Sequence, residues 1–257
     1  MLDGLVAGAR EDAAAREAVI PFDLIAKRAV AAPPVKPFGK HTVNKNGVGV
    51  IAEVKRASPS KGPLADIPDP VALATEYESG GAVAISVLTE ERQFLGSLAD
   101  LQAVSQAVSI PVLRKDFITT DYQVVEARAN GADIVLLIMA CLTDDEATRL
   151  LALARSWNMA VLVEAHTRDE TERAVALGAD IIGINARNLA TFELDRDLFG
   201  RLSALIPANV LKVAESAVAS VDDVRHYRTG GADCVLVGET LVTGGSPRDR
   251  VKEFSEA

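Results

Sequence analysis

Gly131-Ala-Asp-Ile-Val-Leu-Leu-Ile138 packs a helix stop, a turn acid and an unbroken apolar run into eight residues. The pattern returns as Gly178-Ala-Asp-Ile-Ile-Gly-Ile184 and Gly231-Ala-Asp-Cys-Val-Leu-Val237, with a shorter echo at Gly81-Ala82. Each Gly is placed to cap a helix C-terminus and turn the chain into the strand that follows. The copies recur about every 50 residues and precede the second, fourth, sixth and eighth apolar runs. A unit of two strand–helix pairs repeated four times fits a closed barrel. An open doubly wound sheet would break the rhythm at a switch point, and the sequence shows no such break.

Working outward, strands are predicted at 49–54, 83–88, 111–114, 133–138, 160–164, 181–184, 210–214 and 234–237. Helical patterns fall between them, at 70–79, 97–107, 121–130, 144–157, 168–177, 196–205, 220–229 and 247–254. Strict alternation of this kind builds a parallel sheet. Before the first strand come an Ala-rich helix at 2–16 and a second at 22–32, begun by Pro21 and Asp23 and stopped by Pro33-Pro34. A loop at 35–49 carries Pro37, Gly39, Asn44, Asn46 and Gly47. The expected fold is α/β: one (β/α)8 TIM barrel domain over 1–257, with 1–48 as an N-terminal helical extension. The 257 residues match the roughly 250 of such a barrel.

The bulk numbers exclude several classes. A formal charge of −9 lacks the basic footprint of a nucleic-acid binder. No run approaches the ~20 apolar residues of a membrane span. The N-terminus carries Asp3, Arg10, Glu11 and Asp12 in place of a signal core. Cys141 and Cys234 have no metal-type spacing and read as buried free thiols. A cytoplasmic protein is expected, with no nucleic-acid or membrane partner.

The functional signal lies where strands end. In Ile51-Ala-Glu-Val-Lys-Arg-Ala-Ser-Pro-Ser60, Glu53 and Lys55 are two apart and share a strand face. Leu113-Arg-Lys-Asp-Phe117 delivers Lys115, Leu162-Val-Glu-Ala165 delivers Glu164, and Val213-Ala-Glu-Ser216 delivers Glu215. The sixth strand adds Asn185 and Arg187, again two apart. Barrel active sites sit at this C-terminal face. Carboxylates and lysines crowded there shift one another's pKa values, so one group serves as acid while another serves as base. A proton-donating lysine with its pKa lowered by Lys55 and Arg187 is one such arrangement. No His-x-His or Asp-rich cluster suggests a metal, and no dinucleotide fingerprint follows the first strand. His41, His166 and His226 are isolated, and His166 reads as a surface-loop residue.

A phosphate site is expected after the last two strands, at Ser216-Ala217 and Gly238-Glu239, where barrel loops and helix N-termini hold anions. The Ser58-Pro-Ser-Lys-Gly62 loop is polar and placed to fold over a ligand.

Together, IAEVKRASPSKG (51–62), SVLTEERQFLGSL (86–98), LRKDF (113–117), LVEAHT (162–167), GINARNL (183–189) and VAES (213–216) resemble indole-3-glycerol phosphate synthase across essentially the whole chain. The resemblance implies a phosphorylated small-molecule substrate, 1-(2-carboxyphenylamino)-1-deoxyribulose 5-phosphate. It is closed to an indole with loss of CO2 and water, without a cofactor, and its aromatic ring would be held by apolar side chains for which Phe94, Phe117 and Leu137 are candidates. It puts Lys115 on the general acid for the carbonyl oxygen and Glu164 on the acid/base of dehydration. Glu53 falls on the residue that orients the lysines, and Lys55 on a contact to the substrate anion. Asn185 and Arg187 fall on residues positioning the anilino-ribulose part, Ser58 on the substrate loop, and Glu215 and Ser216 on the seventh-strand pair. Which lysine acts at which step stays open. Two positions depart from the family pattern: Ala217 stands where Gly is usual, and Glu239 where some members have Ser. Only the backbone of Glu239 is therefore expected to face a phosphate. A phosphoribosylanthranilate isomerase-like barrel would carry a Cys/Asp pair at the first and fourth strands, which is missing here. A catalytically silent barrel would lack Lys115 or Glu164.

Overall fold

The computed structural model describes residues 2–43, 47–188 and 191–257. Asn44 and Asn46 of the expected loop, and Leu189 of the GINARNL segment, lie outside the described residues. Among those described, eight parallel strands close a barrel: β1 (Gly49–Val54), β2 (Ala84–Leu88), β3 (Val112–Lys115), β4 (Ile134–Ile138), β5 (Ala160–Ala165), β6 (Ile181–Asn185), β7 (Leu211–Glu215) and β8 (Cys234–Val237). Pairing runs in chain order, and β8 closes on β1 with Gly49 opposite Cys234 and Ala52 opposite Val237.

The helices are α1 (Leu2–Val19), α2 (Phe22–Ala31), α3 (Pro70–Ser79), α4 (Leu98–Ala107), α5 (Asp121–Ala129), α6 (Asp144–Ser156), α7 (Arg168–Ala176), α8 (Leu198–Leu202), α9 (Val221–Thr229), α10 (Glu239–Thr243) and α11 (Pro247–Ser255). Seven begin at a side-chain cap, from Asp69, Ser97, Thr120, Thr143, Thr167, Ser220 or Ser246, each occupying otherwise orphaned N–H groups. The repeated glycines end the helices as expected, with φ of 95° at Gly81, 85° at Gly131, 73° at Gly178 and 91° at Gly231. The acid of the repeat has its own task. Asp133 accepts from the backbone N–H of Val112 (2.9 Å) and of Lys36 (2.8 Å). Asp233 accepts from that of Lys212 (2.8 Å) and pairs with Lys40. These acids pin the segment after α2 under the N-terminal end of the barrel, where Phe38 joins the inner core.

Two apolar layers follow from the two-residue period. Ile51, Leu113, Leu136, Leu162, Val213 and Leu236 fill the inside, while Val50, Val112, Val135, Val163 and Val235 meet the helices. The extension wraps both ends. Leu2, Leu5 and Val6 of α1 pack against the inner cluster, whereas α2 packs on α5. Arg114 is wholly buried and points away from the barrel axis to Asp116 and Glu126, both at 3.0 Å. Glu126 also takes Arg16 of α1 at 2.7 Å. Three short elements were not visible in the sequence: a hairpin (Ala57–Ser58 with Gly62–Pro63) after β1, a 3-10 turn (Met139–Cys141) after β4, and α10 after β8. Among the described residues no helix is long and apolar enough to cross a membrane.

Candidate active site

Strand alternation brings the charged residues to one layer at the C-terminal mouth. Lys115 Nζ lies 3.6 Å from Glu164 Oε2, 3.6 Å from Glu215 Oε2 and 3.9 Å from Glu53 Oε1. Lys55, two residues beyond Glu53, brings its ammonium 3.5 Å from Glu53 Oε2. The barrel wall is hollowed for these carboxyls. A Cβ on Gly183 would fall 2.1 Å from Glu215 Oε1, and one on Gly238 2.5 Å from Glu53 Oε2. Asn185 ties three strand ends together. Its Nδ2 donates to Glu164 Oε1 (3.1 Å), and its Oδ1 accepts from Ser216 Oγ (2.8 Å) and from the Arg187 backbone N–H (3.0 Å).

The electrostatics differ from the sequence expectation in one respect. Burial does oppose the charge on Lys115, but Glu164, Glu215 and Glu53 outweigh it and hold the ammonium above its ordinary range. Lys55 and Arg187 do not lower it; three acids surround one amine. The two acids nearest Lys115 are driven apart. Burial first, then the charge of Glu164, pushes the Glu215 carboxyl well above the usual carboxylate range. Burial also opposes ionisation of Glu164, yet Lys115, His166 and Asn185 together hold it below that range. Such a split separates a proton donor from a proton acceptor.

His166 is a second correction. It is no surface-loop residue: its side chain is 9% exposed, with Nε2 3.1 Å from Glu164 Oε1 and Nδ1 3.3 Å from Glu170 Oε2. Burial disfavours the imidazolium, but the two carboxylates prevail and raise His166 to about 10.

The layer forms the floor of a cavity of about 510 Å³, within the range of small-ligand pockets. Glu53, Lys55, Ser58, Phe94, Lys115, Phe117, Glu164, Asn185, Arg187, Glu215, Ser216, Ala217, Gly238 and Glu239 all line it. Leu137 does not, because it packs in the outer layer against the helices. Alternation along β4 instead turns Leu136 and Ile138 inward, and they form the apolar wall. Phe94 and Phe117 stand 6.3 Å apart between ring centroids, with the Lys55 ammonium 5.6 Å over Phe94. Glu90 shapes that corner by accepting from the backbone N–H groups of Arg92, Gln93 and Phe94.

At the other end Ser216 and Ala217 both adopt left-handed backbone, with φ of 67° and 55°. The Gly usual at 217 would hold this conformation freely, while the Ala found here holds it under strain. Across the mouth, Glu239 pairs with Lys61 of the hairpin. Lys61, from the loop expected to cover a ligand, also lines the cavity, as do Leu5, Phe192, Leu194 and Arg196, which were not singled out in the sequence. Cys234 is a buried free thiol as expected, but Cys141 is only half-buried. Among the described residues no group of three or more His, Cys, Asp or Glu is arranged to hold a metal ion. The three carboxyls of the layer close on an ammonium.

Comparison with known proteins agrees with this architecture. The sequence model of the indole-3-glycerol phosphate synthase family matches residues 2–254. An indole-3-glycerol phosphate synthase of Leifsonia xyli subsp. xyli is 57% identical over 254 residues, covering 99% of this chain and 97% of that one. One from Rhodococcus opacus (strain B4) is 53% identical over 257 residues, covering 100% and 95%. Among solved structures, the thiamine phosphate pyrophosphorylase from Pyrococcus furiosus superposes with a TM-score of 0.62 at 16% identity, over 81% of this chain and 94% of that one. The N-acetylmannosamine-6-phosphate 2-epimerase from Clostridium perfringens gives 0.62 at 14%, over 86% and 98%. At such identity these two speak to the fold alone.

Proposed function

The chain belongs to the indole-3-glycerol phosphate synthase family, and from that premise we propose how its residues divide the work. The reaction is that of a carboxy-lyase of tryptophan biosynthesis. It closes 1-(2-carboxyphenylamino)-1-deoxyribulose 5-phosphate to indole-3-glycerol phosphate with release of CO2 and water.

Ring closure needs a proton on the ribulose carbonyl oxygen as the aromatic carbon attacks. Lys115 is the donor. Its ammonium is fully charged at neutral pH and sits at the apolar floor, where a positioned acid contributes most. The carboxylate on the attacking carbon then leaves as CO2, its electrons restoring the aromatic ring. Lys55, over the Phe94 ring, is the fixed positive charge for the substrate anion, with Glu53 holding it in place. Arg187 and Asn185 position the anilino-ribulose part. Phe94, Phe117, Leu136 and Ile138 clasp the ring.

Dehydration needs an acid and a base together. Glu215, kept neutral, protonates the departing hydroxyl. Glu164, kept ionised, takes the proton from the carbon beside nitrogen. The phosphate is read into the far end, at Ser216, Ala217, Gly238 and the backbone of Glu239. The Glu239 carboxylate turned to Lys61 supports that reading, and Ser58 on the hairpin covers the ligand. The proposed setting is cytoplasmic, in keeping with two free thiols and a charge of −9.

The opposite displacement of two carboxyls around one ammonium carries this division of roles. Its test is a single turnover with enzyme in excess, following CO2 and indole fluorescence separately. Glu164→Gln should release CO2 while indole lags by roughly 10²–10⁴-fold. Indole appearing in step with CO2 would remove Glu164 from the dehydration.

A further inference from the structure

Among the described residues the cations lining the cavity are Lys55, Lys61, Lys115, Arg187 and Arg196. All but Lys61 are engaged elsewhere. Lys55 lies between Glu53 and the Phe94 ring, and Lys115 is closed in by three carboxyls. The Arg187 guanidinium donates to the Phe192 carbonyl at 3.3 Å. Arg196 is held 2.9 Å from Asp223, which also accepts from the backbone N–H groups of Ala219 and Ser220. Lys61 instead pairs with Glu239, at the end of the cavity where the phosphate is read.

We propose that Lys61 is the cation that binds the substrate phosphate, and that Glu239 is the residue that positions it. The inference rests on the phosphate being read at Ser216, Ala217, Gly238 and the Glu239 backbone. A phosphate monoester carries about two negative charges at neutral pH and three strong acceptor oxygens. Backbone N–H groups satisfy the oxygens and leave the charge without a counter-ion. An ammonium has three donors, so Lys61 can donate to Glu239 Oε1 and to the phosphate together. A Glu239 carboxylate left alone there would repel the ligand. Lys61 cancels that repulsion and adds an attraction, while Glu239 gives a long, flexible side chain a fixed seat before the ligand arrives.

The hairpin delivers this ammonium without depending on it. Its ladder sets Ala57 opposite Pro63 and Ser58 opposite Gly62. Its base is tied by the Leu64 N–H to the Arg56 carbonyl at 2.8 Å, and by the Arg56 guanidinium to the Ile67 carbonyl at 3.0 Å. Gly62, at φ 67°, takes the left-handed step that leaves Lys61 at the turn. Nor does the fold need the ion pair. The Lys61 and Glu239 side chains are 53% and 37% exposed, and a pair so wet stabilises a fold little. Its position on the cavity is what gives it a use.

The test compares two competitive inhibitors, indole-3-glycerol phosphate and indole-3-glycerol. The ratio of their inhibition constants measures what the phosphate alone contributes. Lys61→Met keeps the aliphatic stem and removes the charge. The ratio should fall roughly 10–100-fold, the worth of one charge-assisted hydrogen bond. KM for the substrate should rise by a similar factor while kcat moves by less than about 3-fold, because the phosphate is held alike before and during the chemistry. Lys61→Met/Glu239→Gln should regain at least about 3-fold of the lost ratio, since the stranded carboxylate is gone. An unchanged ratio in Lys61→Met would detach Lys61 from the phosphate. Equal weakening of both inhibitors would make it only a strut of the hairpin. A double variant no better than the single would remove Glu239 from the arrangement. Each of these results overturns the proposal. Failure of the underlying phosphate reading would show separately. Asp tolerates left-handed backbone, so Ala217→Asp sets a negative charge in the subsite, and an unchanged ratio in that enzyme would place the phosphate elsewhere.

Discussion

Replacing Lys115 with Met keeps the length of the side chain and removes its charge and its three donors. Turnover should fall roughly 10²–10⁴-fold, the contribution of one positioned general acid. A second effect is thermodynamic. Lys115 is the foremost charge opposing burial at Glu164, from 3.6 Å. Without it Glu164 moves upward, toward the condition of Glu215. A carboxyl depressed in the folded state stabilises above its unfolded value, near 4.3, and loses that stability only in acid. A raised carboxyl does the reverse: its contribution is complete below the unfolded value and disappears as pH climbs through the folded one. Lys115 itself is raised, so its contribution is complete below about 10.4 and constant through neutrality. Within the layer the wild type thus carries one carboxyl of the destabilising sense, Glu215, and the variant carries two. Each such group adds about 1.4 kcal/mol per pH unit, or roughly 3–6 °C per unit in a chain of this size. Melting curves of the two proteins in parallel from about pH 5 to pH 8 should diverge steadily, the variant falling behind as pH rises. A constant gap would show that Lys115 does not set the ionisation of Glu164. Full turnover in the fluorescence assay would show that it is not the acid.

Three further outcomes follow. Ala217→Gly relieves a left-handed residue at φ 55° worth about 1–2 kcal/mol, offset in part by about 0.4–1 kcal/mol of unfolded-chain entropy. The melting temperature should rise by a degree or more, and a fall would show that the turn is unstrained. Gly183→Ala drives a Cβ to 2.1 Å from Glu215 Oε1. It should destabilise by about 1–3 kcal/mol and cut turnover at least about 10-fold, so wild-type activity would separate Glu215 from the chemistry. Arg114→Met strands Asp116 and Glu126 in the core at about 3–5 kcal/mol, whereas Arg16→Met, at 28% exposure, should cost about 1 kcal/mol or less. Urea titrations giving equal losses would refute that ranking.

The residues themselves explain what could be read in advance. Strand ends fell within a residue or two because Gly-Ala marks each even-numbered strand through a left-handed turn, and Asp133 and Asp233 add an acid that binds backbone N–H groups below the barrel. Glu53 with Lys55 and Asn185 with Arg187 were legible because residues two apart share a face. The same rule pairs Glu164 with His166, but His166 lies past the strand end, where nothing in the sequence separates a strand residue from a loop residue. Leu137 failed for a different reason. Ile134-Val-Leu-Leu-Ile138 is apolar on both faces, so nothing within it says which side is the inside. Only register against a charged neighbour settles that. The sign of the shift at Lys115 required knowing that three carboxyls from three strands meet on it. Arg114 carried a latent signal: adjacent charged residues on a strand face opposite ways, so one of Arg114 and Lys115 had to find partners among the helices.

The proposed division of proton donor and acceptor depends on what lies beneath the layer. Ile51, Leu113, Leu136, Leu162, Val213 and Leu236 make a dry floor, and desolvation by that floor is the largest influence on Glu164, Glu215 and Lys115 alike. Burial alone would neutralise all three. The outcome is decided instead by who touches whom. Glu164 has Lys115 on one oxygen, with His166 and Asn185 on the other. Lys115 stands equally close to Glu215, at 3.6 Å, but neither Glu215 oxygen accepts a hydrogen bond among the described residues, whereas Glu164 Oε1 accepts one from Asn185. In water of high dielectric the two carboxyls would titrate nearly together, and neither would be set as donor or acceptor. Gly183 and Gly238 matter for the same reason. By leaving out a Cβ each lets a carboxyl lie against bare backbone, away from bulk solvent, so that a difference in contacts becomes a difference in proton affinity. The stability lost in this layer is offset by the two apolar shells of the barrel, which is why the charged groups collect at one end of the strands and the rest of each strand is apolar.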